Sequence, residues 1–183
     1  MEKVLINGAT GFVGSHIVEA FGEAGYNLRV SDRPGSNFEI AKRFDAEVLP
    51  AEIDDTESLE KQVEGVDIVV NVAGIFDLGV PYETLNRVNH LGVHNICKAI
   101  LKKNPNIKRF IQISTVGCYG KPKWKPYKEE DPKNPRNNYE KTKWLGEQAA
   151  WRYHREHELP VTAICPTLVY GPRSRYGHAM GIG

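Results

Sequence analysis

Lys3-Val4-Leu5-Ile6-Asn7-Gly8-Ala9-Thr10-Gly11-Phe12-Val13-Gly14 is the stretch whose reading decides the fold. Apolar residues run into a glycine-rich turn, and an amphipathic stretch follows at once. That order is strand, tight turn, helix. Gly8, Gly11 and Gly14 recur at every third position. Glycine permits positive φ and close backbone approach, while the following helix offers unpaired N–H groups and a positive dipole end. A pyrophosphate fits such a turn, although ordinary strand–helix turns use glycine too. The next strand narrows the reading. Leu28-Arg29-Val30-Ser31 ends in Asp32, and an acid about twenty residues past the glycines is placed to hydrogen-bond the adenosine ribose of NAD.

The rest of the chain repeats the pattern. Helical periodicity runs from Phe12 to Ala24 and stops at Gly25, a C-cap residue. Arg33 to Asn37 is a turn, residues 38–44 a short helix and 46–49 a third strand. Thr56 is placed to cap a helix over 57–64. Residues 67–72 form a β-branched run suited to a strand covered on both faces. A long helix over 82–103 follows, then a strand at 109–113 and a proline-bearing loop over 120–138. A helix at 139–157 and a strand at 161–165 complete the series. Strands alternating with helices predict an α/β fold with a doubly wound parallel sheet.

Bulk properties exclude several function classes. The 183 residues are 40% hydrophobic with a net charge of +1, enough chain for one sizeable core and no general pull toward nucleic acid or anionic membrane. The sequence has no long apolar run that would span a membrane, and its first strand begins too early to leave room for a signal peptide. Cys97, Cys118 and Cys165 are scattered without CxxC spacing, which reads as buried free thiols in a reducing compartment. The expected location is the cytoplasm. His90 and His94, like His154 and His157, have helical spacing, but no third and fourth ligands stand out. They read as surface histidines, and no metal site is expected.

Three stretches fall just beyond strand ends, where a doubly wound sheet binds its ligands. Val72-Ala73-Gly74 is small enough for a cofactor to lie across the fourth strand. Ser114 and Thr115 place two hydroxyls at the end of the fifth. Tyr139 and Lys143, four apart, share a helix face. A tyrosine near a lysine serves as a general acid–base once its pKa falls from about 10 by roughly 3 units, or about 4 kcal/mol. The Lys143 ammonium and an oxidised nicotinamide ring would supply that shift, with Thr115 holding the substrate oxygen. An isolated YxxxK is more often an incidental pair on a surface helix.

Taken together, the motifs resemble an extended short-chain dehydrogenase/reductase of the NAD-dependent epimerase/dehydratase family, from Lys3 to about Pro172. The resemblance rests on Gly8-x-x-Gly11-x-x-Gly14, Asp32, Asn71-Val72-Ala73-Gly74 and Asn89, then on Ser114-Thr115-x-x-x-Tyr119-Gly120, Tyr139-x-x-x-Lys143 and Pro166-Thr167-Leu168-Val169-Tyr170-Gly171-Pro172. It implies a Rossmann fold over residues 1–172, with 173–183 the start of a truncated substrate-binding region. It also implies an NAD-dependent epimerase or dehydrogenase acting on a secondary alcohol of a small-molecule substrate. A nucleotide sugar leads, and a hydroxysteroid or dihydroflavonol-like alcohol is second. By resemblance Thr115, Tyr139 and Lys143 are catalytic, and Asn89 belongs to the active-site architecture. Phe12 and Val13 lie by the pyrophosphate, Ile53 by the adenine, Lys143 on the nicotinamide ribose and Pro166 behind the nicotinamide.

Several positions depart from the family pattern. Glu52 stands where Asp is frequent, and Cys165 where Arg commonly precedes the proline. Val116-Gly117 replaces the Asp-Glu pair of sugar-nucleotide dehydratases, which favours epimerisation or simple oxidation over dehydration. Arg33 could face a 2′-phosphate, but Asp32 beside it would repel one, so NAD is favoured over NADP. Basic and aromatic residues interleave over 121–128, a single-strand nucleic-acid pattern, yet Glu129-Glu130-Asp131 follows directly, and a substrate-side loop is the better reading. A non-catalytic dinucleotide sensor on the same fold is the non-enzyme alternative, disfavoured because the Tyr–Lys pair is kept. Trp144 and Trp151 lie on a stripe about 130° from the Tyr139 face. With the family habit of pairing through these helices, they imply a homodimer built on helices 82–103 and 139–157.

Overall fold

The computed structural model describes residues 1–121 and 126–174. Six parallel strands form one sheet: β1 Lys3–Asn7, β2 Asn27–Ser31, β3 Glu47–Val48, β4 Ile68–Asn71, β5 Arg109–Ile113 and β6 Val161–Ile164. Their order is β3-β2-β1-β4-β5-β6. The chain winds outward from β1 to β3, then crosses back and winds the other way from β4. Connections therefore leave β1 and β4 in opposite directions and open a crevice above their carboxyl ends. Register keeps those ends level: Asn7 is opposite both Ser31 and Asn71, and Asn71 is opposite Gln112.

The period-2 alternation of strand side chains builds a core on each face. Val4 and Ile6 point to one side, with Val18, Val30 and Val70. That side is covered by α1 (Phe12–Glu23) and the short α2 (Glu39–Lys42). Leu5 points to the other, with Val69, Phe110 and Val161. There it meets α3 (Thr56–Val63), α5 (Gly92–Lys103) and α6 (Asn138–His157).

Three local readings change. The cap of α3 is Asp55, whose carboxylate accepts from the Ser58 N–H at 3.1 Å, while Thr56 is the first helical residue. The acid one position earlier reaches that amide and displaces the weaker threonine cap. The long helix over 82–103 is interrupted: α4 (Tyr82–Asn86) passes through a π-helical turn, Arg87–Leu91, into α5. His90 and His94 are half-buried rather than surface groups, and burial pushes the His94 imidazole down to about 4. Most of the segment 173–183 and the centre of the basic–aromatic stretch, 122–125, lie outside the described residues.

Candidate active site

The glycine turn is shaped by contacts only glycine allows. Gly8 has φ +88°, and a Cβ there would stand 2.5 Å from the Ala73 nitrogen. A Cβ on Gly14 would stand 2.0 Å from the Gly8 carbonyl oxygen. The turn thus presses against Val72-Ala73 on one side and admits α1 on the other. Gly11 caps α1 without a side chain, and the first turn carries no acid. The Phe12, Val13 and Gly14 amides and the positive helix end therefore suit an anion. Asp32 stands at the rim of this turn, where its carboxylate accepts from the Thr10 hydroxyl at 2.7 Å and the Thr10 N–H at 3.1 Å. Sequence reasoning missed Thr10 as the residue that orients Asp32. Arg33, next to it, is exposed.

Beneath the crevice, buried amides link the strand ends. Asn7 Nδ2 donates to Asn71 Oδ1 at 3.4 Å, and Asn71 Nδ2 donates to Gln112 Oε1 at 2.8 Å. The loop after β4 is then pinned by Asn89 in the π turn. Its side chain accepts from the Ile75 N–H at 2.8 Å and donates to the Ile75 carbonyl and the Thr142 hydroxyl. Fully engaged this way, Asn89 positions the loop bearing Gly74 against α6. A Cβ on Gly146 would stand 2.2 Å from the Asn89 carbonyl oxygen, so α6 crosses the π turn at backbone contact.

Thr115, Tyr139 and Lys143 meet at the ends of β4 and β5. Thr115 ends its strand by accepting from the Gly117 N–H at 3.1 Å, which caps a short 3₁₀ turn, Val116–Tyr119. Pro166 anchors that turn by accepting from the Val116 N–H at 3.0 Å. Asn137 caps α6 on the Glu140 N–H, setting the phase that directs Tyr139 and Lys143 inward. Burial pushes the Tyr139 phenol up, opposed by its hydrogen bond with Thr115, and Phe76 packs edge-on to the ring at 4.8 Å. Lys143 is buried, and its Nζ donates to the Ile113 carbonyl at 2.5 Å. Burial lowers the ammonium to about 8, with Cys165 and Glu147 acting to hold it up.

The Glu140 charge adds to the effect of burial on the phenol, while Lys143 directs its ammonium to the strand end. Ile53 packs its side chain over Gly92, and its carbonyl accepts from Asn95. Glu147 is the larger omission from the sequence reading. Nearly buried, it accepts from the Ser114 hydroxyl at 2.5 Å and from the Cys165 thiol at 3.5 Å. Its spacing was the available signal, since Tyr139, Lys143 and Glu147 follow one another by four on α6. The fold also unites Cys118, Cys165 and Glu147, which spacing alone did not suggest.

Comparison with known proteins agrees with this geometry. The N-acetyl-alpha-D-glucosaminyl-diphospho-ditrans,octacis-undecaprenol 4-epimerase of Escherichia coli O157:H7 is 32% identical over 95% of this chain and 51% of its own length. The bifunctional dihydroflavonol 4-reductase/flavanone 4-reductase of Pyrus communis is 29% identical over 93% of this chain and 55% of its own. The crystal structure of UDP-glucuronic acid 4-epimerase from Bacillus cereus in complex with NAD superposes with a TM-score of 0.83 at 27% identity, covering 95% of this chain and 58% of that one. The chain thus spans a little over half the length of the relatives it matches. With the family model matching residues 4–181, the chain belongs to the NAD dependent epimerase/dehydratase family.

Proposed function

We propose that this chain is the NAD-binding, proton-transferring part of an oxidoreductase or epimerase acting on a secondary alcohol, that of a nucleotide sugar. The observation that carries the proposal is the convergence of Thr115, Tyr139 and Lys143 at the sheet edge that also bears the open N-terminus of α1. The residues fit a dinucleotide: Gly8 and Gly14 leave no room for a Cβ, and the α1 amides have no side-chain cap. Gly11, Phe12, Val13 and Gly14 would hold its pyrophosphate and Asp32 its ribose. Val72, Ala73 and Gly74 would let it lie over β4, with Ile53 at the adenine end and Pro166 at the nicotinamide end. When bound, NAD supplies the hydride acceptor.

The chain's own part is proton transfer. Thr115 holds the alcohol oxygen by donating or accepting a hydrogen bond, and the Tyr139 oxygen takes the hydroxyl proton as the carbon loses hydride. Re-aiming Lys143 from the Ile113 carbonyl toward a ribose would bring its charge nearer the phenol and favour the phenolate. The same residues run in reverse protonate the returning alkoxide, so epimerisation needs only a turned keto intermediate between the two passes. Three free thiols suit the cytoplasm, and no helix among the described residues is long and apolar enough to cross a membrane.

The likeness to a dihydroflavonol reductase favours a second substrate class, a flavonoid-like alcohol. Calorimetric titration with NAD⁺ and NADP⁺, followed by turnover assays with UDP-sugars and dihydroflavonols, tests the reading. NAD⁺ is expected to bind tighter, with Asp32→Ala narrowing the gap. Tighter binding of NADP⁺ to the unaltered chain would overturn the cofactor assignment.

A further inference from the structure

We propose that Cys118 and Cys165 form a thiol–disulfide pair, closed by hydroperoxides directly behind Lys143. Cys118 lies in the 3₁₀ turn after β5 and Cys165 just past the end of β6. Both sulfurs and a Glu147 carboxylate oxygen lie within 4.8 Å of one another. The Cys165 sulfur stands 3.5 Å from Glu147 Oε2. Two backbone bonds hold their segments side by side, Ser114 N–H to Ile164 at 2.7 Å and Val116 N–H to Pro166 at 3.0 Å. Closing the disulfide brings the sulfurs from a separation within 4.8 Å to the bonding distance of about 2.05 Å.

The surroundings assign the sulfurs different roles. Cys165 is partly accessible, whereas Cys118 is fully buried. Hydrogen bonds from Cys118 and Ser114 draw the Cys165 thiol below its ordinary range, against the opposing burial and Glu147 charge. The charge of Lys143 lies close enough to interact with it. The Cys118 thiol is pushed up instead, by its bond to Cys165, by burial and by Glu147. Accessibility to a peroxide makes Cys165 the attacking thiolate and the buried Cys118 the resolving thiol. Cys97 provides a contrast within the same chain: it lies deep in the core, where burial alone raises its thiol.

The step balances with hydrogen peroxide as oxidant. The Cys165 sulfur attacks one peroxide oxygen, the O–O bond breaks, and water leaves with the thiol proton, giving a sulfenic acid. The Cys118 sulfur then attacks Cys165, the S–O bond breaks, and a second water leaves with the Cys118 proton. Glu147 is near enough to carry that proton. Two thiols are oxidised to one disulfide while one peroxide is reduced to two waters. Closure ties the turn carrying Thr115 to the strand behind Lys143. A thiol reductant reverses it.

The test uses the full reduced chain, treated with one equivalent of hydrogen peroxide and digested without reductant for mass spectrometry. The expected product links the Cys118 and Cys165 peptides, has lost two hydrogens, leaves Cys97 free to alkylate and reverts with dithiothreitol. In Cys118→Ala, oxidation stops at a Cys165 sulfenic acid that dimedone traps; in Cys165→Ala, Cys118 stays reduced. Cys165 oxidised to sulfinic acid beside an intact Cys118 thiol would overturn the proposal, as would oxidation of Cys118 in the Cys165→Ala chain. So would one zinc ion retained per reduced chain and lost in either variant, since that would make the cluster a metal site. Each readout is a mass or a metal content, so it stands or falls apart from the NAD-dependent reading.

Discussion

Lys143 shows most directly how a single residue is set by its surroundings. Its ammonium is lowered from 10.5 to about 8 by burial, so the folded chain binds this proton more weakly than the unfolded chain. A depressed lysine opposes folding fully below the folded value, and the opposition fades as pH rises toward the unfolded one. Comparing denaturant midpoints of the unaltered chain and Lys143→Met should show a stability difference that shrinks by up to about 3 kcal/mol between roughly pH 8 and 10.5. A gap independent of pH would mean the lysine titrates as if exposed. Glu147 supports the charge, so Glu147→Gln should move the onset of that change to lower pH. Tyr139 carries the chemistry more directly. Tyr139→Phe removes the proton acceptor but no group at the glycine turn, and turnover should fall by about 10³-fold while NAD⁺ affinity holds. A variant that kept its rate would remove Tyr139 from the proposed mechanism.

At the level of elements, the site depends on how closely α6 and the π turn approach. Gly146→Ala would place a Cβ 2.2 Å from the Asn89 carbonyl oxygen, so the helices must part or the turn must unwind. Either shift releases Asn89 from Ile75 and moves Tyr139 relative to Thr115. We expect a stability loss of about 2–4 kcal/mol by thermal denaturation. The remaining activity should fall further than that instability accounts for. Normal turnover in a folded Gly146→Ala chain would show that the close crossing does not set the geometry. The sequence announced α5 and α6 through their apolar spacing, yet it gave no sign of the π turn between α4 and α5. A π turn keeps a helical pattern of side chains while shifting their phase, and here the shift goes with contacts from Gly146 and Ile75, both distant in sequence. Asp55 outcompeting Thr56 is a smaller instance, decided by which side chain reaches an amide.

Across the whole molecule, what was legible followed from short-range spacing. Gly8, Gly11 and Gly14, Asp32, and the Tyr139–Lys143 pair stood out because each signal fits within one strand–helix unit. Glu147 was legible in principle by the same helical spacing. The Cys118–Cys165 contact was not, since only the pairing of β5 with β6 brings those segments together. Nor did spacing show that Lys143 would donate to the Ile113 carbonyl. The same whole-molecule geometry bears on assembly. Trp144 and Trp151 lie on the outer side of α6, half-buried in a groove with His90, His94, Gln148 and Arg155. Trp151 packs partly against the core, while Lys133 approaches the Trp144 ring at 5.5 Å. The groove runs between α6 and the helix over 82–103, the pair on which the dimer was expected. Aromatic rings aligned in a groove with flanking charge suit the centre of an interface, where hot-spot residues are buried on association. We therefore expect the chain to pair as a homodimer through a four-helix contact. Replacing both tryptophans with Lys would place two charges at its centre, and sedimentation velocity should then show monomer where the unaltered chain shows dimer. Because both rings are only half-buried in one copy, circular dichroism should stay native. An unchanged dimer in the double variant would move the interface off this face, and a monomer before any substitution would remove the dimer altogether.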